Sequence, residues 1–446
     1  ILVQAEHFST PNGHLDFASF ARNRLSVTGK YLLPKVGLAS HVHFDHHQYF
    51  SYNDTLVRRW QADNTFMDQL QLERAIRQRF MRLEWQVGAY SLVDSARFQW
   101  RADARLRALG DRRSNEEIQS ALLAEGGLRL NPSLRLAADL ELAYTSFGRP
   151  AETQAPSATL PAPDAVLLTQ LAPTLSWHRH PFRAHVGARV AYAGMGDSTS
   201  FQLYPVLGAS WQLFPALQPY VDVSGRMHNF SRWQALADNP WLASNQVALP
   251  WSERLHAQAG VRSNWKRLHT DAAFFIRQVG GMPVYFSPDS VGRWYDRQVA
   301  PGHFLLLQER NFAAVGLQLQ ARAEWNSRAY TGLLLRYQGY SLADIRHYFH
   351  MPAFSMVLDA GYTLAKKLSL RMALNVVGDR PMGRTTAGAL TRQAAFADLN
   401  LHAEYLFSRR FSVFCQFNNL LNQDYYRWNG YLERPLDFRL GGTVSF

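Results

Sequence analysis

Polar and apolar residues alternate one by one over long stretches of this chain. Between Asp398 and Phe407, one face carries Asp398, Asn400, His402 and Glu404, and the other Leu399, Leu401, Ala403, Tyr405 and Phe407. After Ser408-Arg409 the alternation resumes, with Phe411, Val413, Cys415 and Phe417 against Ser412, Gln416 and Asn418. Beyond a polar, aromatic-rich loop, Asp437, Arg439, Gly441, Thr443 and Ser445 alternate with Phe438, Leu440, Gly442, Val444 and Phe446. A period of two with one apolar face is the mark of a β-strand, not a helix. The same pattern returns at Met81–Ala89, Phe98–Leu106, Leu134–Tyr144, Ala184–Tyr192, Tyr220–Ser224, Leu255–Arg262, Val315–Trp325, Phe354–Thr363 and Leu368–Asn375. Two long alternating runs, His14–Leu33 and Val36–Tyr52, flank Pro34-Lys35.

Short turns alternate with long loops near 51–76, 147–166, 229–250, 279–305, 340–352, 378–395 and 419–436. The first of these loops is polar and charged (Gln71, Glu73, Arg74, Arg77) and can carry a short helix. This asymmetry predicts an all-β fold, a transmembrane antiparallel β-barrel with short periplasmic turns and long extracellular loops. Turns and loops tally to about nineteen strands, and because single-chain bacterial barrels prefer even numbers about 20 (18–22) are expected. Residues 1–12 read as an N-terminal segment or a partial first strand, and 13–446 as the barrel. A lumen that wide cannot be filled by strand side chains, so water or an occluder must fill it.

Composition agrees. The 446 residues are 47% hydrophobic, and no run of about 18–20 uncharged apolar residues exists, so no spanning helix is expected. A mean hydropathy of −0.25 does not count against a barrel, half of whose strand residues face inward. A large soluble β-protein is disfavoured because nothing is available to cover the apolar face of nearly every strand. A single cysteine, Cys415, excludes an internal disulfide framework. The net charge of +12 comes from arginines at inward strand positions and at turns. It suits an anionic cargo or the phosphates of lipopolysaccharide rather than nucleic acid. The chain begins at Ile1 with no signal peptide, so its start is read as processed or truncated.

Five stretches, in three parts of the chain, resemble a known family. Asn418-Asn419-Leu420-Leu421-Asn422, Tyr425–Tyr431 and the closing Gly441-Gly442-Thr443-Val444-Ser445-Phe446 are similar to the C-terminal hairpin of TonB-dependent receptor-like barrels, of the type common in Bacteroidota. Ala237–Leu242 and Gly280–Phe286 resemble the same group. The resemblance implies an outer-membrane barrel with an N-terminal plug and a TonB box, importing siderophores, cobalamin or glycans with energy from the inner membrane. No plug-sized domain precedes the first strand, so an occluder is expected from upstream residues or from a plug or partner protein. The alternative is a structural or scaffold barrel that binds partner proteins and transports nothing. The aromatic end, with Leu440, Val444 and Phe446 on one face, is similar to the signal read by the outer-membrane assembly machinery.

Candidate chemistry is sparse. His41-Val42-His43-Phe44-Asp45-His46-His47 resembles the metal motif of metallo-β-lactamase-fold hydrolases, and zinc does need such imidazole and carboxylate ligands. Here the motif lies inside an alternating strand, which puts His41, His43, Asp45 and His47 on one face. A metal site there is the sharper reading and a polar strand face the plainer one. Arg101, Arg105, Arg322, Arg371 and Glu404 are expected to line the lumen in ladders of opposite charge. No Ser/His/Asp grouping can be assembled, so no enzyme and no cofactor are expected. Trp60, Trp85, Trp177, Trp211, Trp265, Trp325 and Trp428 near strand ends suit interfacial girdles. In the loops, Trp233, Trp241, Trp251, Trp294, Tyr425 and Tyr426 suit either stacking on a ligand or packing the loop, packing being the plainer reading.

Overall fold

The computed structural model describes residues 2–10, 19–51, 57, 61–63, 68–92, 97–112, 115–148, 163–243, 246–287, 293–294, 297–298, 303–345, 349–384, 389–433 and 435–444. Its main sheet has 20 strands. In chain order they are β1 (Leu2–Thr10), β2 (Phe20–Leu32), β3 (Val36–Phe50), β4 (Arg77–Ser91) and β5 (Phe98–Asp111). Next come β6 (Glu116–Asn131), β7 (Leu134–Phe147), β8 (Ala165–Arg179), β9 (Phe182–Met195) and β10 (Ser198–Trp211). The second half comprises β11 (Leu217–His228), β12 (Trp251–Trp265), β13 (Leu268–Gly280), β14 (Phe312–Asn326) and β15 (Ala329–Leu342). The last five are β16 (Phe354–Leu364), β17 (Leu368–Val377), β18 (Phe396–Ser408), β19 (Phe411–Asn418) and β20 (Asp437–Val444).

Each strand pairs antiparallel with its neighbour in sequence, so the sheet is a continuous meander. Residues 2–10, ambiguous from sequence, pair with β2 along their whole length, Leu2 opposite Thr28 and Thr10 opposite Phe20. Among the described residues no ladder joins β1 to β20.

The two faces differ as the alternation requires. One exposes a belt of large apolar side chains, among them Leu83, Trp85, Leu106, Leu122, Phe201, Leu203, Phe274, Leu317 and Leu401, with Phe201 at 71% and Leu203 at 67%. Water tolerates no apolar surface of that extent on a monomer, whereas lipid requires it. The short-turn end of this face carries Trp177, Phe182, Trp211, Trp265, Trp325 and Tyr405, all exposed. The Phe182 and Trp211 rings stack there at 5.5 Å. Aromatic rings suit the level where lipid meets water. Trp85 departs from the girdle expectation. It lies within β4, where its indole N–H donates to Ser40 at 3.2 Å.

The loops carry more structure than their composition advertises. α1 (Gln69–Ile76) falls in the stretch read as a short helix, with the Asp68 side chain accepting from Leu70 N–H at 3.2 Å. α2 (Arg232–Asp238) lies between β11 and β12. Met282–Phe286 pairs with Leu305–Glu309, Arg380–Arg384 with Leu390–Gln393, and Tyr426–Trp428 with Tyr431–Leu432. Two loop-side connections are short, since β5 and β6 are joined across 112–115 and β9 and β10 across 196–197. Long loops therefore do not alternate with short turns throughout.

Apart from the unladdered β1–β20 edge, one ladder in the wall is short. β10 pairs with β11 only from Val206–Ser224 to Ser210–Tyr220, although β10 pairs with β9 from end to end. Pro205 cannot donate a ladder hydrogen bond, and the ladder stops beside it. At Gly225 the β11–β12 register shifts. A Cβ there would lie 2.7 Å from the Tyr204 ring and 2.8 Å from the Arg254 carbonyl, so only glycine allows the approach. The loop-side end of β11 turns inward. Gln170 of β8 donates to the Met227 carbonyl at 2.8 Å and accepts from its N–H at 3.0 Å.

Candidate functional site: a loop layer across the barrel mouth

Tyr49, Phe80 and Leu109 lie near the loop ends of β3, β4 and β5, on the strand face of the charged rows rather than of the lipid belt. All three are buried, and what buries them comes from far along the chain. Ala235 and Leu236 of α2, Leu242, Ala248, Phe304, Leu306 and Tyr431 form one apolar cluster with them. Trp241 stacks on Tyr431 at 3.9 Å, and Trp428 packs edge-on against Phe304 at 5.4 Å and Tyr285 at 5.0 Å. Loops from the second half of the sheet thus meet the inner wall of the first half. These contacts bridge the mouth.

Polar groups fix where the layer sits. Glu117 on β6 accepts from the N–H groups of Arg232 at 2.8 Å and Trp233 at 3.2 Å, satisfying two donors of the first turn of α2. Ser231 N–H donates to Gln234 Oε1 at 3.0 Å, closing the helix start from its own side. Arg232 and Asp111 pair at 2.7 Å with side chains 5% and 0% exposed. The Trp233 ring lies between the guanidinium groups of Arg82 and Arg107, at 5.6 and 5.4 Å. The Tyr49 hydroxyl donates to the Pro240 carbonyl. Glu309, fully buried, accepts the N–H groups of Asn311, Ala343, Asp344 and Ile345 at 2.8–3.1 Å and so ties the loops after β13 and β15 together.

Burial tunes the loop groups. It pushes the Asp238 carboxyl above its usual range, and the Tyr285 hydroxyl, which donates to the Ala235 carbonyl at 3.0 Å, is also pushed up. His350, at φ +64°, packs 4.9 Å from Trp428. Burial pushes its pKa down to about 3, with Arg380 adding repulsion. It is therefore neutral, and its Nε2 faces the Asn429 N–H at 3.4 Å. The carboxylates on this face serve as hydrogen-bond acceptors and ion-pair partners.

The residues singled out from sequence take these places. His41 and His43 bond Thr28 and Ser26 across the β2–β3 ladder at 2.8 and 2.7 Å. Asp45 is gripped by Arg22 through two hydrogen bonds of 2.7 Å, with Arg82 at 3.8 Å. His47 packs against Tyr49 and Phe20. Among the described residues no group of three or more His, Cys, Asp or Glu is arranged to hold a metal ion. Arginine takes the carboxylate that a metal would need.

Arg101 pairs with Asp103 at 2.5 Å, and Arg322 with Glu324 at 3.4 Å while covering the Tyr330 ring. Arg105 and Arg371 lie on the same strand faces as these pairs, and Glu404 accepts from Ser412 at 2.6 Å. Leu440 is 70% exposed on the apolar face and Val444 pairs with Phe411, whereas Phe446 lies outside the described residues. Trp233 and Trp241 pack in the loop layer, whereas Trp251 opens β12 and stacks on His228 at 3.7 Å. Sequence reasoning missed Glu117, Asp111, Arg232 and Glu309. Only Ser231-x-x-Gln234, a helix-start signature inside a loop, could have pointed to them.

The fold, with its loop-filled mouth, is a transmembrane antiparallel β-barrel of the TonB-dependent receptor-like architecture. Solved structures agree at the level of fold. The FrpB iron transporter from Neisseria meningitidis superposes with a TM-score of 0.68 at 12% identity, over 97% of this chain and 73% of its own. The siderophore receptor PirA from Acinetobacter baumannii gives 0.69 at 10%, over 96% and 71%. A ferric enterobactin receptor from Pseudomonas aeruginosa, PfeA, gives 0.66 at 11%, over 98% and 72%. No protein-family model and no curated protein sequence matches the chain.

Proposed function

We propose that this chain is a transport barrel of the outer membrane, admitting a solute at its loop face and releasing it at the short-turn face. The observation that carries the reading is the loop layer seated across the mouth and clamped by the buried Arg232–Asp111 pair. A scaffold needs no closed mouth, whereas a wide conduit that must not leak does. Fold likeness to an iron transporter, a siderophore receptor and a copper transporter makes metal-bearing solutes the first class to test. On this reading a plug or partner protein and the TonB system supply what opens the path, while lipopolysaccharide surrounds the loop end.

The test is uptake. Cells lacking their own ferric-siderophore and copper receptors should regain uptake of at least one such solute on expressing the protein. Correct surface insertion without uptake of any of them, together with co-purification of a stoichiometric partner, would favour the scaffold reading instead.

A further inference from the structure

A cavity lies at the end of the lumen opposite the loop layer. It measures about 890 Å³ and sits against the inner wall of β6–β12, beside the short turns. Its lining includes Arg97, Arg129, Arg135, Arg183 and Arg262, and Asp222 is the only acidic residue among the described lining residues. Arg262 is already engaged, pairing with Asp271 at 3.1 Å above the Tyr220 ring. Arg183 donates to His178 at 3.0 Å rather than to a carboxylate. Arg97, Arg129 and Arg135 have no carboxylate partner among the described residues, although elsewhere on this wall arginines such as Arg101 and Arg107 are paired.

The wall is shaped around one of these groups. A Cβ on Gly127 would fall 2.3 Å from the Arg135 guanidinium, so Arg135 lies flat across β6 where the glycine leaves room. Unpaired guanidinium groups lining a concave wall focus positive potential into the space before them. Their planar forks match carboxylate and phosphate oxygens, which a point charge does not. The volume falls within the roughly 300–1,000 Å³ usual for small-molecule sites. We propose that this cavity binds a polyvalent oxyanion, bearing phosphate or carboxylate groups, at the short-turn mouth of the barrel.

The experiment uses the full chain folded in detergent, titrated calorimetrically at about 150 mM salt, where a charge more than about 8 Å away is largely screened. Tripolyphosphate and citrate are the probes. One saturable site is expected, weakened at least tenfold by R129Q/R135Q. R322Q/R371Q, which removes the same charge from another part of the wall, should leave it within twofold. R129K/R135K keeps the charge but loses the fork and should give an intermediate loss. It also carries the test if the glutamine pair fails to fold by heat-modifiable gel mobility. Binding of both probes assigns a general oxyanion site, and binding of tripolyphosphate alone a phosphate site. Equal weakening by R129Q/R135Q and R322Q/R371Q, or no saturable binding of either probe, would overturn the proposal.

Discussion

Adjacent residues on β18 have opposite surroundings. Leu401 is exposed on the apolar face, while His402 stacks on Phe414 at 5.8 Å on the other. Leu401→Arg should impair assembly, since arginine at mid-bilayer costs roughly 2–4 kcal/mol. His402→Arg should assemble normally. Heat-modifiable mobility of the two variants decides, and equal damage would reverse the assignment of faces. The Arg232–Asp111 pair is a different case because both side chains are buried. Asp111→Ala leaves a buried guanidinium without its carboxylate, a loss of about 3–5 kcal/mol for the loop layer. Limited proteolysis should cut within 229–250 in this variant and spare the wild type. The histidine row shows what a sequence pattern leaves out. His41-x-His43-x-Asp45 has the spacing of a ligand set, but the spacing does not reveal that Arg22 of the neighbouring strand holds the carboxylate.

Strands were legible and the loop layer was not, for one physical reason. A strand buried on one side writes its environment into every second residue, so β4, β5 and β18 can be read without knowing their neighbours. The seven residues of α2 are too few for a helical period to show. Its partners, Glu117 and Asp111, stand on β6 and β5, more than a hundred positions away. His350 gives this layer a pH dependence. Its folded pKa, about 3, lies below its ordinary 6.5, so unfolding takes up a proton between those values. Its contribution is complete above about pH 6.5 and is lost as the pH falls toward 3. Protection of the Asn429 amide, measured relative to its intrinsic exchange rate at each pH, should fall as the pH drops through that window. His350→Asn, uncharged and tolerant of positive φ, should flatten the response, and an unchanged profile would place its origin elsewhere.

For the whole molecule, the strand count fixes the width and the loops decide whether that width is open. Barrels of 16–18 strands already hold an aqueous channel, and this one has 20. In planar bilayers the wild type should conduct in brief, partial openings, and Asp111→Ala in larger and steadier ones. Identical traces would mean that the layer does not gate the lumen. The short ladder between β10 and β11 has a mechanical meaning as well. A cylinder under radial load yields where few bonds cross between staves, and among the neighbouring strands of this sheet that form ladders the fewest cross here, from Val206 to Ser210. Immediately beyond Pro205 the wall is joined by side chains instead, the Tyr204 hydroxyl meeting Ser252 at 2.8 Å. Such a joint can yield and re-form without unzipping a strand, so the circumference need not be constant. On the proposed transport reading, that stave is where the wall would widen for a bulky solute.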